Sequence, residues 1–246
     1  MIESPSASAD AAAVAPSARL WLVRHAQASF GSDDYDRLSE RGEQQAQRLA
    51  QWLAADPERH FAHVVSGNLR RHVQSLAPIL QAFRDAGRPL PEAEQDADWN
   101  EFGHDAVVHA WVAAHANDAR VAAARNSADR RNVHTLLAAA LHGWAEGELD
   151  GAVPETWSEF GARVARARTR LDAMRGKVLV LSSGGPIARC AQFALGCDAT
   201  RAVKLNLALR NTAVSEFRGG RAWEMHIWNM LPHLPAAADR GWITYY

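Results

Sequence analysis

The stretch KVLVLSSGGPIARC, residues 177–190, decides how the chain is read. An apolar run meets two serines and two glycines, then Pro186 and a segment of helical character. This is a buried strand, a tight loop and a helix start, a place where backbone amides are suited to holding an anion. The loop itself offers only Ser182 and Ser183 as side chains able to take part in chemistry. The reacting group has to come from elsewhere in the chain.

Outward from this unit, RLWLV (19–23) and FAHVV (61–65) read as further buried strands. The segment LSERGEQQAQRLAQWL (38–53) places Ala46, Leu49, Ala50 and Leu53 on one helical face, with Ser39 as N-cap. A second helix carries Leu69, Val73, Leu76, Leu80 and Phe83, and Pro78 should kink or interrupt it. Residues 84–98, rich in Pro, Asp and Glu, read as a surface connection. Across 155–174 one stripe holds Trp157, Phe160, Val164, Ala167, Leu171 and Met174, with Gly176 as C-cap. The arginines of that helix, 163, 166, 168 and 170, read as a solvated face rather than a phosphate site. AVSEF (213–217) and WEMHIW (223–228) form a late hairpin.

This alternation predicts an α/β fold, a three-layer αβα sandwich around a mostly parallel sheet. Residues 18–246 are expected to form a single domain, with an Ala- and His-rich helical insertion at about 104–152 covering its crevice. The Ala-, Ser- and Pro-rich residues 1–17 hold too little apolar area to offset ordering entropy and are expected to be a disordered tail. They lack the basic start and apolar stretch of a secretory signal.

Composition narrows the function further. With 48% hydrophobic and 22% charged residues, the chain is expected to build an ordinary globular core. A formal charge of −1 gives no footprint for nucleic acid or an anionic membrane. No apolar run approaches the roughly 20 residues that span a bilayer. The two cysteines, Cys190 and Cys197, read as buried thiols of a cytoplasmic protein rather than a disulfide framework. No metal-ligand spacing, P-loop or dinucleotide fingerprint is present, so no cofactor is expected. The serine-hydrolase elbow is absent too, because Leu181 stands where its first glycine would precede Ser183.

In open parallel sheets, sites collect at the carboxyl ends of strands. That rule brings together Arg24-His25, the segment Ser66 to Arg71, and Ser183-Gly184-Gly185. Arginine binds phosphate with bidentate geometry, and a neutral imidazole can attack phosphorus.

These same segments carry a resemblance. LVRHA (22–26) matches a Leu-Val-Arg-His-Gly pattern, and LSERGEQQA (38–46) a Leu-Ser-x-x-Gly-x-x-Gln-Ala helix. SGNLRRHVQS (66–75) is similar to Ser-x-Leu-x-Arg-Ala-x-Gln-Thr, one residue longer between Ser and Leu. WNEFG (99–103), RNTAVSEF (210–217) and NMLPHL (229–234) follow in order. Together they resemble the histidine phosphatase (phosphoglycerate mutase-like) superfamily.

The resemblance implies a metal-independent phosphatase acting on a small phosphorylated molecule. His25 would accept the phosphoryl group, Arg24 and Arg71 would clamp it, and Glu101 would be the general acid. Ser183 and Gly184 would line the phosphate pocket. The family's second histidine stands in a Val-Ser-His-Gly-Gly loop, whereas this chain has Leu181, Ser182, Ser183, Gly184 and Gly185. Ser183 therefore replaces that histidine. Two outcomes are open: a working phosphatase, or a phospho-ligand binding protein with weak or no turnover. His72 and His104 are candidates for a substitute imidazole, with an incidental role the plainer expectation. QASFG (27–31) differs from the mutase pattern and weighs against a mutase.

Overall fold

The computed structural model describes residues 18–29, 36–126, 129–220 and 222–245. The expected tail 1–17, and Phe30 and Gly31 of QASFG, lie outside the described residues. The strands are β1 (Arg19–Arg24), β2 (His63–Ser66), β3 (Glu94–Gln95), β4 (Lys177–Ser182), β5 (Val214–Arg218) and β6 (Glu224–Met230). They form one sheet in the order β3-β2-β4-β1-β5-β6. The pairings from β3 to β1 are parallel, and β5 and β6 add antiparallel at the far edge.

Strand alternation sorts the core into two layers. From β1, Leu20 and Leu22 face one cluster while Trp21 and Val23 face the other. Val178 and Val180 of β4 divide from Leu179 and Leu181 in the same way. Two helices cover the second face, α1 (Glu40–Ala55) through Leu49 and Leu53, and α2 (Arg70–Asp85) through Leu76, Ile79 and Phe83. Next in the chain come α3 (His104–Ala114), α4 (Ala119–Asn126) and α5 (Arg130–Ala145). With α6 (Trp157–Asp172), α7 (Gly184–Leu195) and α8 (Ala199–Ala208), they supply the cluster on the first face. Three layers result.

Local chemistry explains most element ends. Ser39 caps α1 by accepting from Gly42 N–H. Thr156 and Glu159 form a reciprocal capping box on α6. Several expectations need correction. Helix α2 is not interrupted at Pro78, because its buried face outweighs the one hydrogen bond that proline cannot donate. The connection 84–98 contains β3, an edge strand on β2, and a 3₁₀ turn at Ala97–Trp99. The C-cap of α6 is Ala173, and Gly176 (φ 80°) instead makes the turn into β4. Helix α8, capped by Asp198, had no reading in the sequence. Cys190 is buried, but Cys197 is only partly so, and both are free thiols. Among the described residues no helix is long and apolar enough to cross a membrane.

Phe160 lies where α6 meets the helices before it, with its ring 5.4 Å from Phe102 and 5.5 Å from Trp144. Truncating it removes a fully buried aromatic and leaves a cavity between rigid elements. We expect Phe160→Ala to cost about 3–5 kcal/mol in urea unfolding. A loss below about 1 kcal/mol would show that this layer collapses freely onto the gap.

Candidate active site

The register of the central strands fixes where the loops begin. Arg24 pairs with Ser182 across β1 and β4, and Ser66 pairs with Leu181 across β2 and β4. Just beyond, His25 N–H donates to the Ser182 carbonyl at 2.9 Å and Gly67 N–H to the Leu181 carbonyl at 3.0 Å. Three loops thus leave the sheet side by side at one level.

His25 is 4% exposed. Its Nδ1 lies 2.7 Å from the Ala26 carbonyl oxygen. A carbonyl only accepts, so Nδ1 carries the proton and the neutral ring keeps its lone pair on Nε2. Arg71 Nε donates to that lone pair at 3.3 Å. Burial holds the imidazole well below its usual range, and Arg71, Arg24 and His72 push the same way. The backbone here is also clamped. Thr212 N–H reaches the Arg24 and His25 carbonyls at 3.1 and 3.3 Å, and Asn211 Nδ2 donates to His25 O at 3.1 Å. Thr212 adopts φ 58°, a costly conformation for a β-branched residue, to make this contact.

Arg71 is 6% exposed, whereas Arg70 beside it points to solvent. Asp36 holds both, pairing with Arg71 Nη1 at 2.7 Å and accepting from Arg70 N–H at 2.8 Å. Ser75 accepts from Ala26 N–H at 2.9 Å and donates to the Arg71 carbonyl at 2.7 Å, tying α2 to the His25 loop. Arg24 donates to the Leu209 carbonyl through Nη1.

The Gly-rich loop forms the opposite wall. Ser183 stands at the N-cap position of α7, yet its hydroxyl does not cap the helix. It bonds instead to His72 Nε2 at 2.7 Å. Gly185 N–H donates to both carboxylate oxygens of Glu101 at 3.1 Å. A Cβ on Gly185 would fall 2.1 Å from Glu101 Oε1, so this close approach needs glycine. At Gly184, a Cβ would lie 2.5 Å from Asn206 Oδ1 and 3.6 Å from the Arg24 guanidinium.

Glu101 is held from behind by groups that the sequence left unassigned. Ser182 Oγ donates to the Trp99 carbonyl at 2.7 Å. Arg163, bonded to Glu155, donates through Nη1 to the Asp98 and Asn100 carbonyls at 3.1 and 2.8 Å. Arg170 reaches Asp96 and Asp98. Arg163, Arg166 and Arg170 are therefore braces on the segment before Glu101 rather than a merely solvated face, while Arg168 packs over Phe193. His104 packs at a tilt on Phe102, ring centroids 4.2 Å apart, and interacts electrostatically with Glu101, Arg71 and Arg24.

Asp36, Ser75, Asn211 and Thr212 join this site without having been given a role in it, although Ser75, Asn211 and Thr212 lie in the family-like segments 66–75 and 210–217. His72, a candidate for a substitute imidazole, joins it too. A separate groove of about 580 Å³ lies beside the C-terminal half of α7, lined by Arg168, Cys190, Phe193 and Cys197. Burial pushes the Cys190 thiol up to about 12, so it is no nucleophile there.

A family model described as histidine phosphatase superfamily (branch 1) matches residues 20–230. The chain belongs to that superfamily. No curated protein sequence matches it. Among solved structures, a mutant phosphoserine phosphatase from Entamoeba histolytica in complex with phosphoserine aligns at 18% identity and TM-score 0.59, covering 88% of this chain and 99% of that one. A mycobacterial glucosyl-3-phosphoglycerate phosphatase with inorganic phosphate aligns at 23% identity and TM-score 0.59, covering 87% and 98%. An α-ribazole phosphatase from Shigella flexneri aligns at 19% identity and TM-score 0.56, covering 86% and 96%. These likenesses establish the fold.

Buried neutral histidines make stability depend on pH. His72 is lowered to about 3 and His233, bonded to Thr212 Oγ1 at 2.9 Å, to about 4, chiefly by burial, against an ordinary 6.5. Below 6.5 the unfolded chain binds protons that the folded one does not, so stability is full above 6.5 and falls as pH drops. The slope approaches about 1.4 kcal/mol per pH unit for each such histidine. Urea midpoints at about pH 7 and pH 5 should differ accordingly. Equal midpoints would mean that these rings take up protons without opening the fold.

Proposed function

We propose that this histidine phosphatase superfamily member is a metal-independent phosphoric monoester hydrolase working through a phosphohistidine on His25. One observation carries the reading: a buried neutral imidazole whose Nδ1 proton is committed to the Ala26 carbonyl, leaving the Nε2 lone pair toward Arg71. The structural neighbours are described as phosphatases of small phosphorylated molecules, which supports that substrate class here.

In the first step Nε2 attacks phosphorus, a P–N bond forms and the ester P–O bond breaks. Glu101 gives its proton to the leaving oxygen. The positive charge arising on the ring is eased by the Nδ1–H bond to Ala26. Arg71 exchanges its contact with Nε2 for the phosphoryl oxygens, and Arg24 joins it, so the spread negative charge meets fixed cations. The Gly184 amide at the start of α7 adds its dipole at the same place, while the Gly185 amide holds Glu101. In the second step Glu101 takes a proton from water, whose oxygen attacks phosphorus. The P–N bond breaks, and inorganic phosphate leaves with the imidazole neutral again.

A second reading is a phospho-ligand binding protein with little turnover, and the observation favouring it is Ser183. A hydroxyl carries no charge where the resemblance expects an imidazole.

Incubation with 4-nitrophenyl phosphate and denaturation in alkali, where the P–N bond survives, should trap phosphate on His25, found by mass spectrometry. His25→Ala should lose the adduct and lower turnover on the order of 10³-fold or more. Turnover that survives His25→Ala, with no adduct in the wild type, would refute the phosphohistidine on His25. Binding of phosphate esters by calorimetry without hydrolysis would favour the second reading.

A further inference from the structure

Two departures from the family-like segments meet in space. At 183 a serine stands where the loop pattern has histidine, and at 72 a histidine stands where the helix pattern Arg-Ala-x-Gln-Thr has alanine. They are 111 residues apart in the chain and their polar atoms lie 2.7 Å apart. Both side chains have 0% exposure. The His72 ring centroid is 5.6 Å from that of His25, and Arg71 precedes it on α2.

We propose that His72 and Ser183 act as one hydrogen-bond donor to the phosphoryl group, with His72 supplying from α2 the imidazole that the β4 loop lacks. This rests on the hydrolase reading above.

The geometry assigns the parts. Ser183 is well placed to cap α7, since serine is among the preferred N-cap residues, yet its hydroxyl turns to His72. His72 Nδ1 lies against the Gly67 backbone, which favours a proton on the ring, while burial and Arg71 oppose it. A Cβ at Gly67 would sit 2.2 Å from that nitrogen, so only glycine lets the ring pack this closely on the backbone. Nδ1 faces the Gly67 main chain, and Nε2 makes the ring's side-chain hydrogen bond, to Ser183.

If Nε2 accepts from Ser183, the hydroxyl proton is spent and oxygen lone pairs face the anion. If Nε2–H donates to Ser183 Oγ, the hydroxyl proton is released toward the pocket. An anion beside Ser183 selects the second arrangement, and the chain of donors runs His72 Nε2–H to Ser183 O–H to phosphoryl oxygen. Each bond polarises the next, so a hydroxyl backed by an imidazole is a stronger donor than a hydroxyl alone. His72 is a positioning residue, acting through Ser183.

The test is a double-mutant cycle on 4-nitrophenyl phosphate, with urea midpoints measured on every variant. His72→Ala and Ser183→Ala should each lower kcat by about 10- to 10³-fold with a smaller change in KM, and together little more than either alone. His72→Gln, which keeps a donor near the Nε2 position, should recover part of the loss. The exchanged pair, His72→Ala with Ser183→His, should recover more. Multiplicative losses, or a His72→Ala enzyme within twofold of wild type, would overturn the pairing. So would His72→Gln as poor as His72→Ala with an unchanged urea midpoint. Failure of the underlying reading looks different: the wild type then gives no phosphate adduct on His25. A wild type that forms the adduct while His72→Ala turns over normally defeats the pairing alone.

Discussion

The parallel pairing of β1 with β4 is the constraint on which the rest of the structure depends. Both strands are buried on both faces, and their side chains alternate between two hydrophobic clusters. A slip of one residue would send Leu22 and Val180 into the layer built for Val23 and Leu179. It would also carry His25 away from the Ser182 carbonyl that fixes its backbone. The core and the site are therefore determined by one register. Packing places the chemistry, because Arg24 and Ser182 are the last residues of strands held in line along their whole length.

Around this row of strand ends the protein keeps cations fixed and the imidazole neutral. A histidine beside two arginines in a dry pocket has every reason to stay unprotonated. The cost falls on the surroundings. Asp36 balances Arg71, a carbonyl takes the His25 proton, and Thr212 holds a strained backbone to clamp the loop from behind. Such strain persists only where neighbours over-determine it, and here the Arg24 and His25 carbonyls do so.

Much of this was legible in the chain. The strands announced themselves as short apolar runs, and β4 begins and ends where KVLVLS does. The site row followed from strand ends and from ordered motifs. What stayed hidden has a common physical cause. Strand β3 is a two-residue edge with no apolar pattern to mark it. The α6 arginines look like a solvated face because local sequence cannot show that Asp96 and Asp98 fold against them. His72 was visible as a residue but not as a partner, since its meaning lies in a contact across 111 positions. Propensity and periodicity report on neighbours in sequence, and these contacts are made by neighbours in space.

The brace on Glu101 has an architectural consequence. Arg163 joins the Asn100 carbonyl to Glu155, and Trp144 Nε1 donates to the Glu155 carbonyl at 2.9 Å. The chain that departs at Glu101 thus returns to its own point of departure near Glu155. A loop whose stem is stapled in this way is tolerant of its own length, because each doubling adds only about 0.6 kcal/mol of closure entropy. The helices between still belong to the core, where Trp111, Leu141 and Trp144 are buried, so the staple frees the stem from their length and not from their packing. The position of Glu101 is in this sense set at the stem, by contacts made on either side of the helices.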